Sequence, residues 1–191
     1  MGRGARDSLV VNNFFTFASI VIITITLTLY TKYIRNDSDK LKIKELQCQK
    51  QSYTKVTLFN HKLLKKSIKA LNKGYYKVEG AYLKSQINKS IIEDVISLEE
   101  IEKYYETLIG VEPKKEIEKF LKIRFELVEN DKSDNKSKEK ERFKAGTLIT
   151  SFRINSKELL RFESDFKFMY KNAIKQRVDC SMKVYKNYVK N

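Results

Sequence analysis

The chain has 191 residues, 41% hydrophobic and 33% charged, and its 39 Lys and Arg outnumber its 24 Asp and Glu. Two Cys, one His and one Pro exclude a collagen, a zinc-finger array and a disulfide-stapled miniprotein. The formal net charge of +15 favours contact with acidic proteins, anionic lipid head groups or nucleic acid.

A charge-free segment dominates the amino-terminal part of the sequence. Ser8 to Thr31 contains no Asp, Glu, Lys or Arg, and as a helix it would be roughly 36 Å long, against a hydrocarbon core of ~30 Å. A lone segment in lipid must satisfy its own backbone, which favours a helix despite the β-branched residues. We therefore predict a short tail over residues 1–13 and a transmembrane signal-anchor helix over 14–31. Its anchor side chains are Phe14, Phe17, Ile20, Ile23, Leu27 and Tyr30.

A cleaved signal peptide is the main alternative to this anchor. The stretch from Leu29 to Tyr33 offers no small-x-small cleavage pattern, so we expect the segment to be retained. Lys32 and Arg35 would hold the following domain in the cytoplasm by the positive-inside rule, but long domains translocate largely regardless of charge. We therefore expect a single-pass protein of the inner (cytoplasmic) membrane with a periplasmic large domain. We also expect the Ser and Thr hydroxyls of the segment to bond back to helix carbonyls.

A membrane-proximal long helix is predicted over residues 32–74. Leu41, Cys48, Val56 and Leu63 fall near one stripe of a 3.6-residue period. Gly74 can end this helix in a left-handed conformation. The residues from Tyr75 to Tyr82 show no clear period and are interpreted as a junction before a domain over 75–191.

Two helices joined by a turn are predicted next. Ser97 and Glu100 fit a capping box, which places a helix start at Ser97. Gly110 ends that helix, and Pro113 is suited to the first turn of a second helix that continues to Phe120.

The period then changes from 3.6 to 2, which predicts two strands. Apolar residues alternate with polar ones over 121–127 and again over 147–154. Residues 130–144 between them are almost free of apolar side chains, so we predict a mobile loop there. Together the strands would form a small antiparallel β-hairpin.

The last predicted element is a long helix capped by Asn155 or Ser156. Its apolar stripe would run from Leu159 to Val184, with lysines on the other faces. The fold class expected from all these elements is α+β and mainly helical, with one transmembrane helix, long soluble helices and one hairpin. The lysines form the predicted partner-binding basic face, made of Lys167, Lys171, Lys175, Lys183, Lys186 and Lys190.

Few residues suggest a chemical site. Cys48 and Cys180 both fall on apolar stripes, which favours two buried thiols over the alternative of a disulfide formed in an oxidising compartment. His61 has no nearby carboxylate in sequence to orient it. The chain contains no Walker loop, dinucleotide fingerprint, nucleophile elbow or zinc-protease motif. We therefore expect no catalytic residue, no cofactor and no metal.

The function expected from these features is structural. We predict a non-enzymatic, membrane-anchored scaffold or assembly subunit of a large bacterial envelope complex, such as a flagellar motor or a secretion apparatus. Its partners would be protein subunits and the lipid bilayer, with no small-molecule substrate and, because of the anchor, no nucleic acid. The alternatives are an accessory single-pass subunit of a mitochondrial inner-membrane complex and an extracytoplasmic ligand-sensing domain.

Overall fold

The chain forms two compact units, Met1–Leu41 and Lys42–Asn191. The computed structural model describes residues 3–33, 43–51, 53–86, 89–114, 120–130 and 144–191. The first unit contains helix α1 (Arg3–Tyr33). Four hydroxyls in α1 donate to the carbonyl four residues earlier, at 2.7–2.9 Å, which confirms the predicted back-bonding; they belong to Ser19, Thr24, Thr26 and Thr28.

The predicted membrane anchor is not supported. Within the described parts of the chain, no helix combines the length and the apolarity that a membrane crossing requires. The apolar run of α1 extends from Phe14 to Tyr30 in the sequence. Ser and Thr hydroxyls interrupt it at five positions. This finding overturns the predictions of a transmembrane signal anchor, a single-pass topology and an inner-membrane or mitochondrial-membrane location.

The predicted anchor side chains lie on an exposed helix. Those of Phe14, Phe17, Ile20, Ile23 and Leu27 are all more than half exposed. The side chain of Tyr30 lies outside the described ones.

The second unit is built on a five-stranded mixed sheet. The strands are β1 (Thr54–Leu58), β2 (Tyr76–Leu83), β3 (Leu121–Glu129), β4 (Gly146–Ile154) and β5 (Lys157–Phe166). Their order across the sheet is β1-β5-β4-β3-β2. Strands β2 and β3 are parallel, and the other neighbours are antiparallel. A parallel pair needs a long crossover connection, and the described residues of this connection include two helices.

Helices cover one face of this sheet. They are α2 (Gln47–Lys50), α3 (His61–Asn72), α4 (Ile92–Val95), α5 (Leu98–Ile109) and α6 (Lys171–Lys190). Helices α3, α5 and α6 pack on the strands and on one another. In β3, Leu121, Ile123 and Phe125 are fully buried, whereas Lys122 and Arg124 between them are exposed. The period of 2 therefore places an apolar core between sheet and helices and leaves the other face polar.

The mainly helical fold class was wrong. The chain is α+β with a five-stranded mixed sheet. In place of the long helix over 32–74, the described residues form α2, β1 and α3. The helical stripe included Val56, which here faces the core from a strand between the outward-facing Lys55 and Thr57. Apolar residues seven or eight positions apart are compatible with the helical period of 3.6, but a spacing this wide does not exclude a strand of period 2 around one of them. The residues around Val56 form a strand because they pair with β5.

The predicted long last helix was wrong in its first part. Residues Lys157–Phe166 form β5, and the helix α6 begins only at Lys171. Asn155 has φ 53°, a left-handed conformation that Asn tolerates. Ile154 and Lys157 are paired across it, so Asn155 and Ser156 make a two-residue hairpin turn rather than a helix cap. The junction predicted over 75–82 is likewise strand β2.

Other predicted elements are present. The two predicted strands pair antiparallel as β3 and β4, with Leu127 opposite Leu148. Helix α5 is capped at its start by Ser97, whose hydroxyl accepts from the Glu100 amide at 3.2 Å, and at its end by Gly110 with φ 77°. Most of the second helix predicted from Pro113, and most of the predicted loop over 130–144, lie outside the described residues.

A buried cluster of hydroxyls links the sheet to two helices. Tyr105 Oη in α5 lies 2.7 Å from Thr150 Oγ1 in β4 and 3.2 Å from Ser181 Oγ in α6. All three residues are fully buried. Burial raises the pKa of Tyr105 to about 12, so its hydroxyl stays neutral at physiological pH.

Tyr105→Phe is expected to lower the free energy of unfolding by about 1–3 kcal/mol, because it removes the partner of the buried Thr150 hydroxyl and one of the two hydrogen bonds of the Ser181 hydroxyl. Urea denaturation measures the loss. Tyr104→Phe, at a half-buried neighbouring position, is the control and should change stability little. Equal effects of the two substitutions would contradict a stabilising role for the cluster.

Candidate functional site

The six lysines of the predicted basic face do not form one surface. Lys171 and Lys175 at the start of α6 both pair with Glu100 of α5, at 2.6 and 2.8 Å. Their charge is therefore partly compensated within the fold. Lys167 precedes the helix and lines a separate cavity with Arg177. Only the carboxyl-terminal lysines of α6 lie together along one groove, and these are Lys183, Lys186 and Lys190.

A disulfide joins the segment before β1 to the last helix. Cys48 in α2 and Cys180 in α6 are bonded, with Cα atoms 5.9 Å apart and a sequence separation of 132. The structure thus adopts the disulfide rather than the favoured pair of thiols. A second link lies nearby, where Asn187 Nδ2 donates to the carbonyl of Lys44 at 3.2 Å. Residues 43–51 are therefore held against α6 by a covalent bond and a hydrogen bond.

The first concave surface, here called the disulfide groove, lies between that segment and α6. It has a volume of about 640 Å³. Its lining consists of Leu46, Gln47, Cys48, Gln51, Lys183, Lys186, Asn187 and Lys190. No described carboxylate lines it. Asp179 pairs with Lys183 at 2.5 Å, and Lys186 Nζ donates to the carbonyl of Leu108 at 3.0 Å. The groove is therefore basic, and the charge of Lys183 is partly neutralised by Asp179, which does not line the groove.

The second concave surface, here called the Arg177 cavity, lies where β5 leads into α6. Its volume is about 460 Å³. Its lining combines basic and aromatic side chains, and consists of Lys50, Gln51, Tyr53, Lys144, Asp165, Phe166, Lys167, Phe168, Ala173 and Arg177. Only Gln51 belongs to both surfaces.

One carboxylate faces the cations of the Arg177 cavity. Asp165 accepts from the Thr147 hydroxyl at 2.8 Å and pairs with Lys144 at 2.6 Å. Arg177 lies on the core side of α6, three residues after the fully buried Ile174. Its Nε is buried and has no hydrogen-bond partner in the described part of the chain. Burial lowers the pKa of Arg177, and the charge of Asp165 opposes this only in part.

No protein-family model, curated protein or solved structure matches this chain. No residue role can therefore be taken from a relative, and function is argued from geometry and charge.

The remaining sequence candidate is His61. Its Nε2 lies 3.2 Å from the Tyr188 carbonyl, so His61 ties the start of α3 to the end of α6. In the described residues, no three His, Cys, Asp or Glu side chains come close enough together to hold a metal ion.

Sequence reasoning missed the Arg177 cavity. One signal was available, because Arg177 falls on the apolar stripe of α6, four residues after Ala173 and three before Cys180. A basic residue on a core-facing stripe is unusual for a purely structural helix. Lys144 and Asp165 carried no such signal, since only the pairing of β4 with β5 brings their segments together.

Proposed function

We propose that the second unit, Lys42–Asn191, is a non-catalytic docking module of a larger protein assembly, and that it binds an acidic protein segment in the disulfide groove. The observation that supports this is the row of Lys183, Lys186 and Lys190 along a groove that no described carboxylate lines. Complementary charge gives such an interface a fast, specific encounter with an acidic partner.

The spacing of these lysines sets the spacing of the partner's carboxylates. Residues three, four and seven positions apart lie on one side of a helix, one turn or ~5–6 Å between neighbours. Alternate residues of an extended chain are ~6.6 Å apart. A segment with Glu or Asp at every second position can therefore place one carboxylate near each lysine.

The side of the groove that faces these lysines is a short, well-ordered segment around α2. The disulfide fixes Cys48, and the Leu46 amide donates to the Gln49 side chain at 2.8 Å, so this short turn has a defined shape. A surface that is ordered before binding loses less conformational entropy when a partner docks. Leu46 and Cys48 also give the groove an apolar surface, which can contact a small apolar side chain of the partner between two of its carboxylates.

Charge reversal of the three lysines is expected to weaken binding of an acidic peptide by about tenfold or more. Each exposed pair contributes ~0.2–1 kcal/mol, reversal turns attraction into repulsion, and 1.4 kcal/mol is a factor of ten. The experiment measures anisotropy of a fluorescent peptide that alternates Glu with Leu and Gly, on the full chain and on Lys183→Glu/Lys186→Glu/Lys190→Glu.

The matched control is Lys62→Glu/Lys66→Glu/Lys69→Glu, which makes the same charge change at exposed positions of α3. This variant should keep most of the affinity. Equal weakening by both variants would show that only net charge matters and would contradict the docking groove. A single-stranded oligonucleotide is tested in the same way. If it binds the full chain more tightly than the peptide does, and the triple variant on α6 loses this binding, the partner is nucleic acid and the proposal of an acidic protein is contradicted.

A further inference from the structure

We infer that the Arg177 cavity is a binding site for a small organic anion, with an oxyanion head group held by Arg177 and an apolar tail on the neighbouring rings. The inference is independent of the docking proposal, since the two surfaces share only Gln51. The volume of about 460 Å³ is within the ~300–1,000 Å³ typical of small-molecule sites.

The charges in the cavity are not balanced from within. Lys50, Lys144, Lys167 and Arg177 face one carboxylate, that of Asp165. Asp165 is already engaged by Lys144 and by the Thr147 hydroxyl. Among the described residues, no ion pair within 4.0 Å joins Lys50, Lys167 or Arg177 to a carboxylate. A bound oxyanion would supply the missing negative charge.

Arg177 provides a second, separate observation. Its Nε is buried without a hydrogen-bond partner in the described chain, and a desolvated donor left unsatisfied destabilises the folded state. A side chain needed only for packing would be better apolar at this position. A planar guanidinium is also the side chain best suited to binding carboxylate or phosphate oxygens in a bidentate manner.

The Arg177 cavity also has exposed aromatic side chains that favour an apolar tail. Tyr53 and Phe168 line it, and their side chains are 61% and 58% exposed. Lys144 Nζ lies 5.2 Å from the centre of the Tyr53 ring, which links the cationic part to the aromatic part. The ring of Phe168 stacks on Tyr170 at 5.4 Å. A ligand with an aromatic group next to its anion would contact both parts at once.

The test is calorimetric titration of the full chain with phenyl phosphate, benzoate and inorganic phosphate, with benzyl alcohol as the neutral analogue. We expect one saturable site for at least one aromatic anion and none for benzyl alcohol. The comparison of phenyl phosphate with benzoate distinguishes a phosphate head group from a carboxylate. Arg177→Met is expected to weaken the binding by tenfold or more.

Two further variants keep the test decisive. Lys167→Ala changes an exposed residue of the cavity and should weaken binding without altering the fold, whereas Lys69→Ala on α3 should leave binding unchanged. Arg177→Met should keep or raise Tm, because it removes a desolvated charge. Absence of saturable binding by every anion, undiminished binding in both cavity variants, or a large fall in Tm for Arg177→Met would overturn the inference.

Discussion

Cys48→Ala/Cys180→Ala is expected to lower the free energy of unfolding by about 5 kcal/mol at 25 °C. The bond closes a loop with a sequence separation of 132 residues, and a cross-link of that length removes much conformational entropy from the unfolded chain. Alanine is preferred to serine because Cys180 is fully buried, and a serine hydroxyl there would add an unsatisfied polar group. A domain stable by ~5–15 kcal/mol would lose a large share of its stability.

Urea denaturation with and without a thiol reductant measures this effect. The unmodified chain should be stable when oxidised, and in reductant its midpoint should fall toward that of the double variant. The double variant, which has no thiol, should not respond to reductant. A midpoint of the unmodified chain that reductant leaves unchanged would contradict the disulfide as a main source of stability.

Phe152→Ala is expected to cost about 3–5 kcal/mol, the second largest effect. Phe152 in β4 is fully buried, and its ring stacks on Tyr185 of α6 with centroids 4.4 Å apart and planes 19° from parallel. The substitution leaves a cavity between sheet and helix and removes the stacking energy. Tyr185 would also lose its position for the 2.6 Å hydrogen bond between its hydroxyl and that of Ser67.

The matched control is Phe59→Ala, since Phe59 is 44% exposed and its backbone amide donates to the Leu159 carbonyl, a hydrogen bond that the substitution keeps. Thermal denaturation should show a much smaller fall in Tm for Phe59→Ala than for Phe152→Ala. Similar falls for the two variants would mean that β4 and α6 do not form the centre of the core.

The elements that could be predicted from sequence are those with local signals. The side chain of Ser97 and the left-handed Gly110 bound α5 without help from the rest of the fold. The strict alternation around Phe125 likewise predicted β3. Each of these signals lies within about twelve residues of the chain, so tertiary contacts did not need to be known.

Elements that depend on distant partners could not be predicted in this way. In β2, Gly80 interrupts the alternation because it lies opposite Phe125, whose ring occupies the space that a side chain at Gly80 would need. In β5, Phe162 and Phe166 are four residues apart, which suits a helix as well as a strand. Pairing with β4 and β1 decides for the strand.

The candidate sites follow the same rule. The lysines of the disulfide groove were named from sequence, but their separation from Lys171 and Lys175 depends on Glu100 of another helix. Sequence alone could not distinguish a disulfide from two free thiols at Cys48 and Cys180, because either form is compatible with a position on an apolar stripe. The Arg177 cavity forms where α6 approaches the end of β5, which the sequence does not show. The one local signal is Arg177 itself, a charged residue on the apolar stripe of α6.

The most direct test of the docking proposal is lysine-specific acetylation of the full chain, free and bound to the Glu-containing peptide, with modified sites counted by mass spectrometry. We expect the peptide to protect Lys183, Lys186 and Lys190, while the exposed lysines of α3, Lys62, Lys66 and Lys69, react as in the free chain. Uniform protection of all lysines, or protection on α3 without the groove, would contradict the account.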